Sequence, residues 1–460
     1  MSTPPNDLLV ESAVPHPRPL SMRGRGQKWL KSNHVLLSNT ASLIGTMVAT
    51  SGLGFFYWWL AARLFSQTDV GYASGIISVM NLIATISILG MGSLLVGELA
   101  VNPKRGGHYI SATLWTTGAV GSAMSVFFLL FVYVITPDLQ SFLAPLLVKF
   151  MFIVGVVMTT WSNLMDQAVI GLLMGSVQLW RNVLQSVLKL SIIFGVFLVA
   201  HHAVFIFGTW VVASTTAIFM VWGLLLTRRG INSFAAPDWA FMRRSVRTAA
   251  GHHLLNLLLK APALLMPVII LTMLSPASTA SFNIAWQIAA FTFILPGSVT
   301  TVLFAIGAAD TQRLGQKTRV TIAASIATGF ITIFTMFIAA EWILGLFNKG
   351  YTEAVPSLQL MAIGIFPITI REHYVAICRI YRNFAEASII MAISDVIQIS
   401  AIVVGASING LTGLTAGWLI AICIEGLITG PTLIRVMTHT YNRTPPLAKA
   451  KPAITPHSED

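Results

Sequence analysis

A set of polar side chains recurs along one apolar stretch of the chain. Ala249–Leu274 reads AAGHHLLNLLLKAPALLMPVIILTML, with the length and apolarity of a membrane-spanning helix. Within it, His252, His253, Asn256 and Lys260 share roughly one helical face, because residues three, four, seven and eight apart lie close together. Lys260 is about 16 Å from the start of the stretch at ~1.5 Å per residue. Its ammonium group is therefore predicted at mid-bilayer.

The position of Lys260 limits what it can face. A charge at the bilayer centre costs about 2.5–3.5 kcal/mol on insertion scales, so we expect a partner, a bundle interior or a water-filled cavity around it. Pro262 and Pro267 follow, and each lacks an N–H and clashes with the preceding turn. We predict a helix hinged just beyond the lysine, with its polar face on a moving pathway. The alternative is a structural lysine paired with an acid on a neighbouring helix.

Composition gives the class of protein. The 460 residues are 55% hydrophobic and 10% charged, and the mean hydropathy is +0.78. These values are typical of a polytopic membrane protein and unlike a soluble core. Both cysteines, Cys378 and Cys423, fall in apolar spans, so no disulfide framework or zinc site is indicated. The predicted fold class is an all-α polytopic membrane protein.

Apolar segments alternate with short polar segments along the whole chain. We predict about twelve transmembrane helices, at 35–60, 72–97, 109–135, 145–175, 183–200, 204–226, 249–274, 281–308, 320–344, 356–378, 387–405 and 411–436.

The spans divide into two equal halves. The predicted parts are a basic disordered tail, two six-helix bundles joined by a linker, and a second tail, at 1–34, 35–226, 227–248, 249–436 and 437–460. The turns Leu64–Ser74 and Leu274–Ile284 resemble each other, so we expect pseudo-symmetric bundles around a central cavity. Two equal halves are the usual build of a secondary transporter, with its site between them at mid-membrane.

Basic residues predict the orientation. Most of the 28 lysines and arginines fall in the tails and in the loops on the same side as the tails. The positive-inside rule makes that side cytoplasmic. The net charge of +12 is then explained by topology and by contact with anionic lipid head groups, and not by nucleic-acid binding. The first span is too long for a signal-peptide core, so we expect a retained anchor.

Opposite charges lie in neighbouring spans of each half. Asp166 and Lys189 lie at similar depths in spans four and five, as do Arg371 and Asp395 in spans ten and eleven. Antiparallel neighbours could form ion pairs that hold register while adding little net stability. The alternative for Asp166 is a proton or sodium site. Glu425, in span twelve, is either the counter-ion of Lys260 or a group that couples transport to a proton or sodium gradient.

Motifs for ATP hydrolysis and metal binding are missing from the sequence. Gly315–Thr318 lacks the upstream glycine of a phosphate-binding loop and follows no predicted strand. The paired histidines, His201-His202 and His252-His253, have no cysteines or acids at metal-ligand spacing. We therefore predict no cofactor, no metal site and no ATPase activity within this chain.

Two stretches carry a family resemblance. Ser38–Leu99 resembles the opening helices of the Wzx-like polysaccharide flippases of the MOP superfamily, which show an early Asn, an "aArl.s..evG" turn and an "lGl" ending. Leu346–Pro367 looks like the "lfG..Y..a...l..la" element of that family. The matching positions are Asn39, Ala61-Ala62-Arg63-Leu64, Asp69-Val70-Gly71 and Leu89-Gly90-Met91, while Asn348 and Lys349 depart slightly from the usual glycine spacing.

The resemblance implies a transporter and not an enzyme. Its cargo would be an undecaprenyl-diphosphate-linked oligosaccharide, moved from the cytoplasmic to the outer leaflet of the bacterial plasma membrane for surface polysaccharide synthesis. A diphosphate cannot cross about 30 Å of hydrocarbon unaided, so a cationic cavity would neutralise it. Lys260 would be the main diphosphate contact, His253 and Asn256 donors on its face, and Arg63 and Arg371 further candidates. A polysaccharide polymerase or chain-length regulator is the implied partner.

Other functions stay open from the sequence. A multidrug and toxin extruder of the same superfamily would favour acids in the first-half cavity, where Asp166 is the nearest candidate. A peptidoglycan-precursor flippase usually has two further spans. A polysaccharide polymerase or ligase would need a larger outer loop than this chain offers. A structural partner in a polysaccharide complex would not need a hinged helix with a central lysine.

Overall fold

The computed structural model describes residues 34–309 and 314–438, and all regular elements within these ranges are helical. The predicted tails 1–34 and 437–460 fall almost entirely outside the described residues. The first half contains helices α1 to α8, at His34–Leu64, Gln67–Ser87, Met91–Val101, Gly106–Ile135, Pro137–Phe142, Leu146–Gly171, Gly175–Phe197 and Ala203–Arg229. A short 3-10 turn, Pro103–Arg105, precedes α4.

The second half contains helices α9 to α15, at Trp239–Leu258, Ala261–Met273, Pro276–Ala309, Leu314–Gly345, Val355–Ile363, Ile365–Ile380 and Phe384–Thr438. A 3-10 turn, Lys349–Ala354, precedes α13. Non-helical backbone at Asn409 and Gly410 divides α15 into two arms. Gly410 has a φ of 52°, which glycine adopts without a steric penalty.

Each predicted span falls on a helix or on a broken helix. Within the described residues, seven helices are long and apolar enough to cross a membrane alone, and the bent pair 349–380 makes an eighth candidate. The two arms of α15 account for spans eleven and twelve, while α9 and α10 together form span seven. The chain is thus an all-α polytopic membrane protein with a twelve-helix, two-lobe bundle.

The two lobes correspond to the two halves of the chain. In the first lobe, α1 packs on α7, α4 on α6, and α8 on α6 and α7. In the second lobe, α14 packs on α15, and α11 packs on α12 and α14. Contact between the lobes runs mainly through α2, which packs against α10 and α11.

The lobes meet closely at one end of the bundle, which we call the seam end. The backbone at Gly71 of α2 lies against Pro276, such that an added Cβ would fall 1.7 Å from the Pro276 carbonyl oxygen. Only glycine permits this approach. Gln67 Nε2 donates to Ser281 Oγ at 2.7 Å across the same contact. The seam end also contains the loop at Leu346, so elements from both halves close it.

The opposite end contains the linker between the lobes, and we call it the linker end. The linker packs on the first lobe, where His108 Nδ1 lies 2.7 Å from the Ala236 carbonyl oxygen. Arg105 pairs with Asp238 at 3.6 Å. The rings of Tyr109 and Phe241 stack with centroids 4.2 Å apart. The start of α9 is thereby fixed to the first lobe, although α9 continues into the second.

Candidate functional site

A cavity of about 340 Å³ lies between the lobes, on the linker side of the seam. Polar and small residues make up most of its wall, and they come from α2, α3, α6 and α7 of the first lobe and from α9 of the second. The lining residues are Thr85, Ile88, Gly90, Gly92, Ser93, Asn163, Asp166, Gln167, Gln178, His253, Asn256 and Lys260. Its position between the lobes makes it the candidate substrate site.

Lys260 lies at a break in span seven. Helix α9 ends at Leu258, α10 begins at Ala261, and Pro262 occupies its first turn. Pro262 has no N–H and disfavours helical backbone before it, so the chain leaves α9 here. We predicted a hinge beyond the lysine, whereas the break lies at the lysine itself. Lys260 is exposed to the cavity, and no carboxylate of the described ranges lies within 4.0 Å of its ammonium group.

His253 and Asn256 line the cavity on the same face as Lys260. Asn256 Oδ1 accepts a hydrogen bond from Arg379 Nη2 at 3.0 Å, which orients its amide group. His253 Nε2 is buried and has no hydrogen-bond partner among the described residues. The side chain of His252 lies outside the described part of the structure. The structure thus brings three of the five predicted substrate-binding residues to one cavity.

Asp166 lines the cavity with its charge already neutralised. Arg181 forms two hydrogen bonds to its carboxylate, Nε to Oδ1 at 2.9 Å and Nη2 to Oδ2 at 2.6 Å. Arg181 is buried, with 3% of its side chain exposed, and it also donates to Ser162. The predicted pairing of Asp166 with Lys189 is therefore wrong. Arg181 lies outside the predicted spans 145–175 and 183–200, but α7 begins at Gly175 and so includes it.

Lys189 lies deeper in the first lobe, away from acids. Its ammonium group lies 3.9 Å from the centroid of the Trp210 ring and 5.5 Å from that of Tyr57. Both rings present negative π faces to the cation. Lys189 is buried, and no ion pair to it occurs among the residues described. Arg181, which lies two helical turns nearer the linker end, takes the role of partner to Asp166 that we predicted for Lys189.

The charges of the second lobe form a separate cluster. Arg371 pairs with its neighbour Glu372 at 3.2 Å. Asp395 and Glu425 interact with Arg371 electrostatically, but neither lies within 4.0 Å of it. The predicted direct pair between Arg371 and Asp395 is therefore wrong.

Glu425 is not the counter-ion of Lys260. It is buried in the second arm of α15, where its Oε2 accepts from Gln398 Nε2 at 3.0 Å. The other carboxylate oxygen of Glu425 has no hydrogen-bond partner among the described residues, and neither has Oδ2 of Asp395. Glu425 and Asp395 thus lie in the interior of the second lobe and not in the cavity between the lobes.

Arg63 lies at the seam end and does not line the cavity. Its Nε donates to the Leu346 carbonyl oxygen at 2.8 Å, and Trp59 Nε1 donates to the same oxygen at 3.0 Å. Its guanidinium carbon lies 5.9 Å from the centroid of the Trp59 ring. We proposed Arg63 as a weaker substrate contact, but these bonds tie α1 to the loop after α12 and so hold the lobes together.

Two features of the cavity were missed by sequence analysis. Arg181, the partner of the lining residue Asp166, falls between the predicted spans 145–175 and 183–200, whereas the structure places it in α7. Span two is broken where Leu89 and Gly90 take positive φ values of 51° and 76°. The Leu89-Gly90-Met91 triplet could have signalled this break, since a glycine before a small-residue run marks non-helical backbone.

The comparisons with known families agree with this architecture. The family model described as "Polysaccharide biosynthesis protein" matches residues 36–306, and the model described as "MatE" matches residues 254–411. No curated protein matches the chain.

Solved structures share the fold at low sequence identity. An inward-facing multidrug resistance MATE family transporter of the MOP superfamily has a TM-score of 0.63 at 15% identity, covering 86% of this chain and 94% of that one. An outward-facing transporter of the same description has a TM-score of 0.62 at 12% identity, covering 87% and 95%. A mutant of the Vibrio cholerae MATE transporter VcmN has a TM-score of 0.57 at 14% identity, covering 88% and 96%.

The expected superfamily is therefore confirmed by fold and by sequence. Since the first family model spans more than half of the chain and the fold is that of MATE transporters, this chain is a multi-pass membrane transporter of the MOP superfamily and belongs to the polysaccharide biosynthesis protein family.

Proposed function

We propose that this chain is a flippase that moves an undecaprenyl-diphosphate-linked oligosaccharide from the cytoplasmic to the outer leaflet of the bacterial plasma membrane. The observation that carries the proposal is Lys260, a cation at a helix break that faces the inter-lobe cavity. A membrane-embedded lysine that faces a cavity without a carboxylate partner favours a negatively charged ligand.

The charge balance of the cavity supports an anionic cargo. Asp166 is the one carboxylate among the lining residues, and Arg181 neutralises it at 2.6 Å. Lys260 therefore leaves the wall with a net positive charge. His253 and Asn256 add hydrogen-bond donors beside it, which a diphosphate with several acceptor oxygens can use.

The closed seam supports transport by alternating access. With the lobes in contact at the seam end and the cavity on the linker side, the structure corresponds to a state closed on one side of the membrane. The positive-inside rule makes the linker end cytoplasmic, so both termini are cytoplasmic and the cavity would load cargo from the inner leaflet. Opening the seam and closing the linker end would then release it outside.

Energy coupling and partners extend the proposal. Asp395 and Glu425 each have a buried carboxylate oxygen with no hydrogen-bond partner in the described part of the chain, so the second lobe is where we place a coupling proton or sodium ion. Anionic lipids would contact the basic loops of the linker end. A polysaccharide polymerase or chain-length regulator would accept the product on the outer side.

The experiment compares the lipid-linked oligosaccharide pool in cells with and without this protein, together with surface polysaccharide. We expect the lipid-linked pool to accumulate on the cytoplasmic leaflet and the surface polymer to be lost in the deletion strain. A plasmid-borne wild-type copy should restore both, and a Lys260→Ala copy should not. An unchanged pool in the deletion strain would overturn the proposal.

The second candidate function is export of cationic drugs against protons or sodium ions. The MatE match over residues 254–411 favours it. It predicts that deletion raises sensitivity to cationic dyes while leaving the lipid-linked pool unchanged. The neutralised Asp166 weighs against it, because the lining residues then offer no free carboxylate to pair with a cationic drug.

A further inference from the structure

A second cavity, of about 220 Å³, lies inside the second lobe. It begins directly beside the break in span seven: Leu259, Pro262 and Ala263 line it, whereas Lys260 between them lines the inter-lobe cavity. The residues at the break are therefore charged on the side of the inter-lobe cavity and apolar on the side of the second cavity. The charged side would take a diphosphate, and the other side opens into the lobe.

Aromatic rings form one wall of this second cavity. Trp286 and Phe293 of α11 and Trp418 of α15 all line it. The rings of Trp286 and Trp418 lie 5.7 Å apart at 78°, and those of Trp286 and Phe293 lie 6.4 Å apart at 73°. Phe282 stacks behind Trp286 at 5.8 Å. The Trp286 ring is therefore held in place by aromatic neighbours and remains half-buried at the cavity.

Polar groups form the facing wall. Arg371, Glu372 and Gln398 line it, and the ion pair at 3.2 Å fixes the first two. Nε of Arg371 and Oε1 of Gln398 are buried and have no hydrogen-bond partner in the described residues. One is a donor and the other an acceptor, so a ligand carrying hydroxyl groups would satisfy both, because each hydroxyl donates and accepts.

This combination matches a sugar ring better than the other candidate ligands. One face of a pyranose presents C–H groups that pack on the negative face of an aromatic ring, while its hydroxyls reach the polar wall. A lipid chain would leave Arg371 and Glu372 unsolvated in an apolar contact. An organic cation would find no free carboxylate among the lining residues, because Glu372 is already paired with Arg371.

We infer that the cavity formed by Trp286, Phe293, Trp418, Arg371 and Gln398 binds the first sugar of the lipid-linked saccharide, the ring attached to the diphosphate. The inference rests on the proposed function, and it requires the ring attached to a diphosphate at Lys260 to reach this cavity past the break between α9 and α10, whose two sides line the two cavities. The site assigns to Arg371 a contact with sugar hydroxyls in place of a contact with phosphate.

The test uses the full-length protein purified in detergent and native mass spectrometry to measure lipid affinity. The probes are undecaprenyl diphosphate without sugar and the same lipid bearing one glucose, galactose or N-acetylglucosamine. We expect at least one sugar-bearing lipid to bind about tenfold more tightly than the bare lipid, equivalent to ~1.4 kcal/mol. Trp286→Leu should abolish that difference and leave the affinity for the bare lipid unchanged.

Two further variants keep the test decisive. Phe293→Leu alters the same wall at a half-buried position and should reduce the sugar-dependent difference about threefold, which matters if Trp286→Leu fails to fold. Trp342→Leu is the matched control, since Trp342 is 68% exposed on α12 and does not line this cavity. It should behave as wild type.

The outcomes separate the inference from the proposed function. If the bare lipid binds but no sugar-bearing lipid binds more tightly, or if Trp286→Leu and Phe293→Leu both retain the difference, the sugar site is overturned and the flippase proposal stands. If neither the bare nor any sugar-bearing lipid binds to wild type, the proposed function fails as well.

Discussion

The interior of the first lobe and the cavity between the lobes both hold cations within the membrane, and they surround them differently. In the first lobe, Arg181 is bound to Asp166 at 2.6 Å, and Lys189 lies 3.9 Å from the centre of the Trp210 ring. In the cavity, Lys260 is exposed at a helix break, and none of the carboxylates described lies within 4.0 Å of it.

This difference separates structural charges from functional ones. A charge within a bilayer costs about 2.5–3.5 kcal/mol on insertion scales, and the first lobe offsets that cost with its own side chains. At Lys260 only the cavity and its contents can do so. We therefore expect substitutions of cations in the lobe interior to lower stability, and substitution of the cation in the cavity to lower transport.

The largest effect expected is on the stability of the first lobe. Arg181→Leu leaves the Asp166 carboxylate unpaired and should lower the free energy of unfolding by about 3–5 kcal/mol. Thermal unfolding of the purified protein measures this, and Asp166→Leu combined with Arg181→Leu should recover much of the loss. A stable Arg181→Leu protein that has lost only its response to an ion gradient would instead make Asp166 an ion site.

The cavity lysine should show the opposite pattern. Lys260→Ala removes a charge-assisted contact of ~1.5–3 kcal/mol, so we expect flipping to fall about tenfold to a hundredfold while stability is kept. Lys260→Arg should restore part of the activity. Flipping of a fluorescent polyprenyl-diphosphate sugar in proteoliposomes measures both variants. Unimpaired flipping by Lys260→Ala would remove the lysine from the site.

A substitution at the seam tests stability and transport together. Closure of the seam holds the lobes in contact and leaves the cavity open only on the linker side. Gly71→Ala would place a Cβ 1.7 Å from the Pro276 carbonyl oxygen. Overpacking of this kind costs about 1–3 kcal/mol, so the seam should open and flipping should slow. Spin-label distances across the seam measure the opening. Gly97→Ala, where an added Cβ meets nothing within 4 Å, is the control, and equal behaviour of the two variants would contradict closure through Gly71.

A substitution of Lys189 tests whether the cations inside the first lobe are structural. Lys189→Met keeps most of the length of the side chain and removes its charge, so the loss of the contacts with Trp210 and Tyr57 should cost at most about 2 kcal/mol. Flipping per folded protein should stay within about twofold of wild type. A Lys189→Met protein that folds normally and does not transport would show that the first lobe also holds a functional cation.

The smallest effect is expected at Arg63. Arg63→Gln removes an exposed contact between α1 and the loop at Leu346, and exposed pairs contribute little, so flipping should change less than about threefold. The same proteoliposome assay measures this. A loss as large as that of Lys260→Ala would return Arg63 to the list of substrate contacts.

Much of the fold could be predicted from the sequence because lipid leaves a spanning chain few options. Every backbone group must be paired within the segment, so an apolar stretch of sufficient length becomes a helix. The helix breaks were predicted less well. Pro262 indicates the break at Lys260. The break at Leu89 and Gly90, however, depends on left-handed backbone that hydropathy does not reveal.

The candidate site was predicted in part. His253, Asn256 and Lys260 share a face through helical spacing alone, and they line one cavity. The ion pairs were not predictable, because a helix turns about 100° per residue and depth along the span does not say which side a charge faces. Asp166 pairs with Arg181 and not with Lys189, and no base of the described residues lies within 4.0 Å of Asp395.

The membrane class, the apolar spans and the polar face of span seven follow from the order of the residues alone, because they depend on local apolarity and helical period. The partners of the cations, and the cavity that Lys260 faces, emerge only when the helices pack. That outcome depends on how the helices rotate and pack against one another, including the close approach of the two lobes at Gly71 and Pro276.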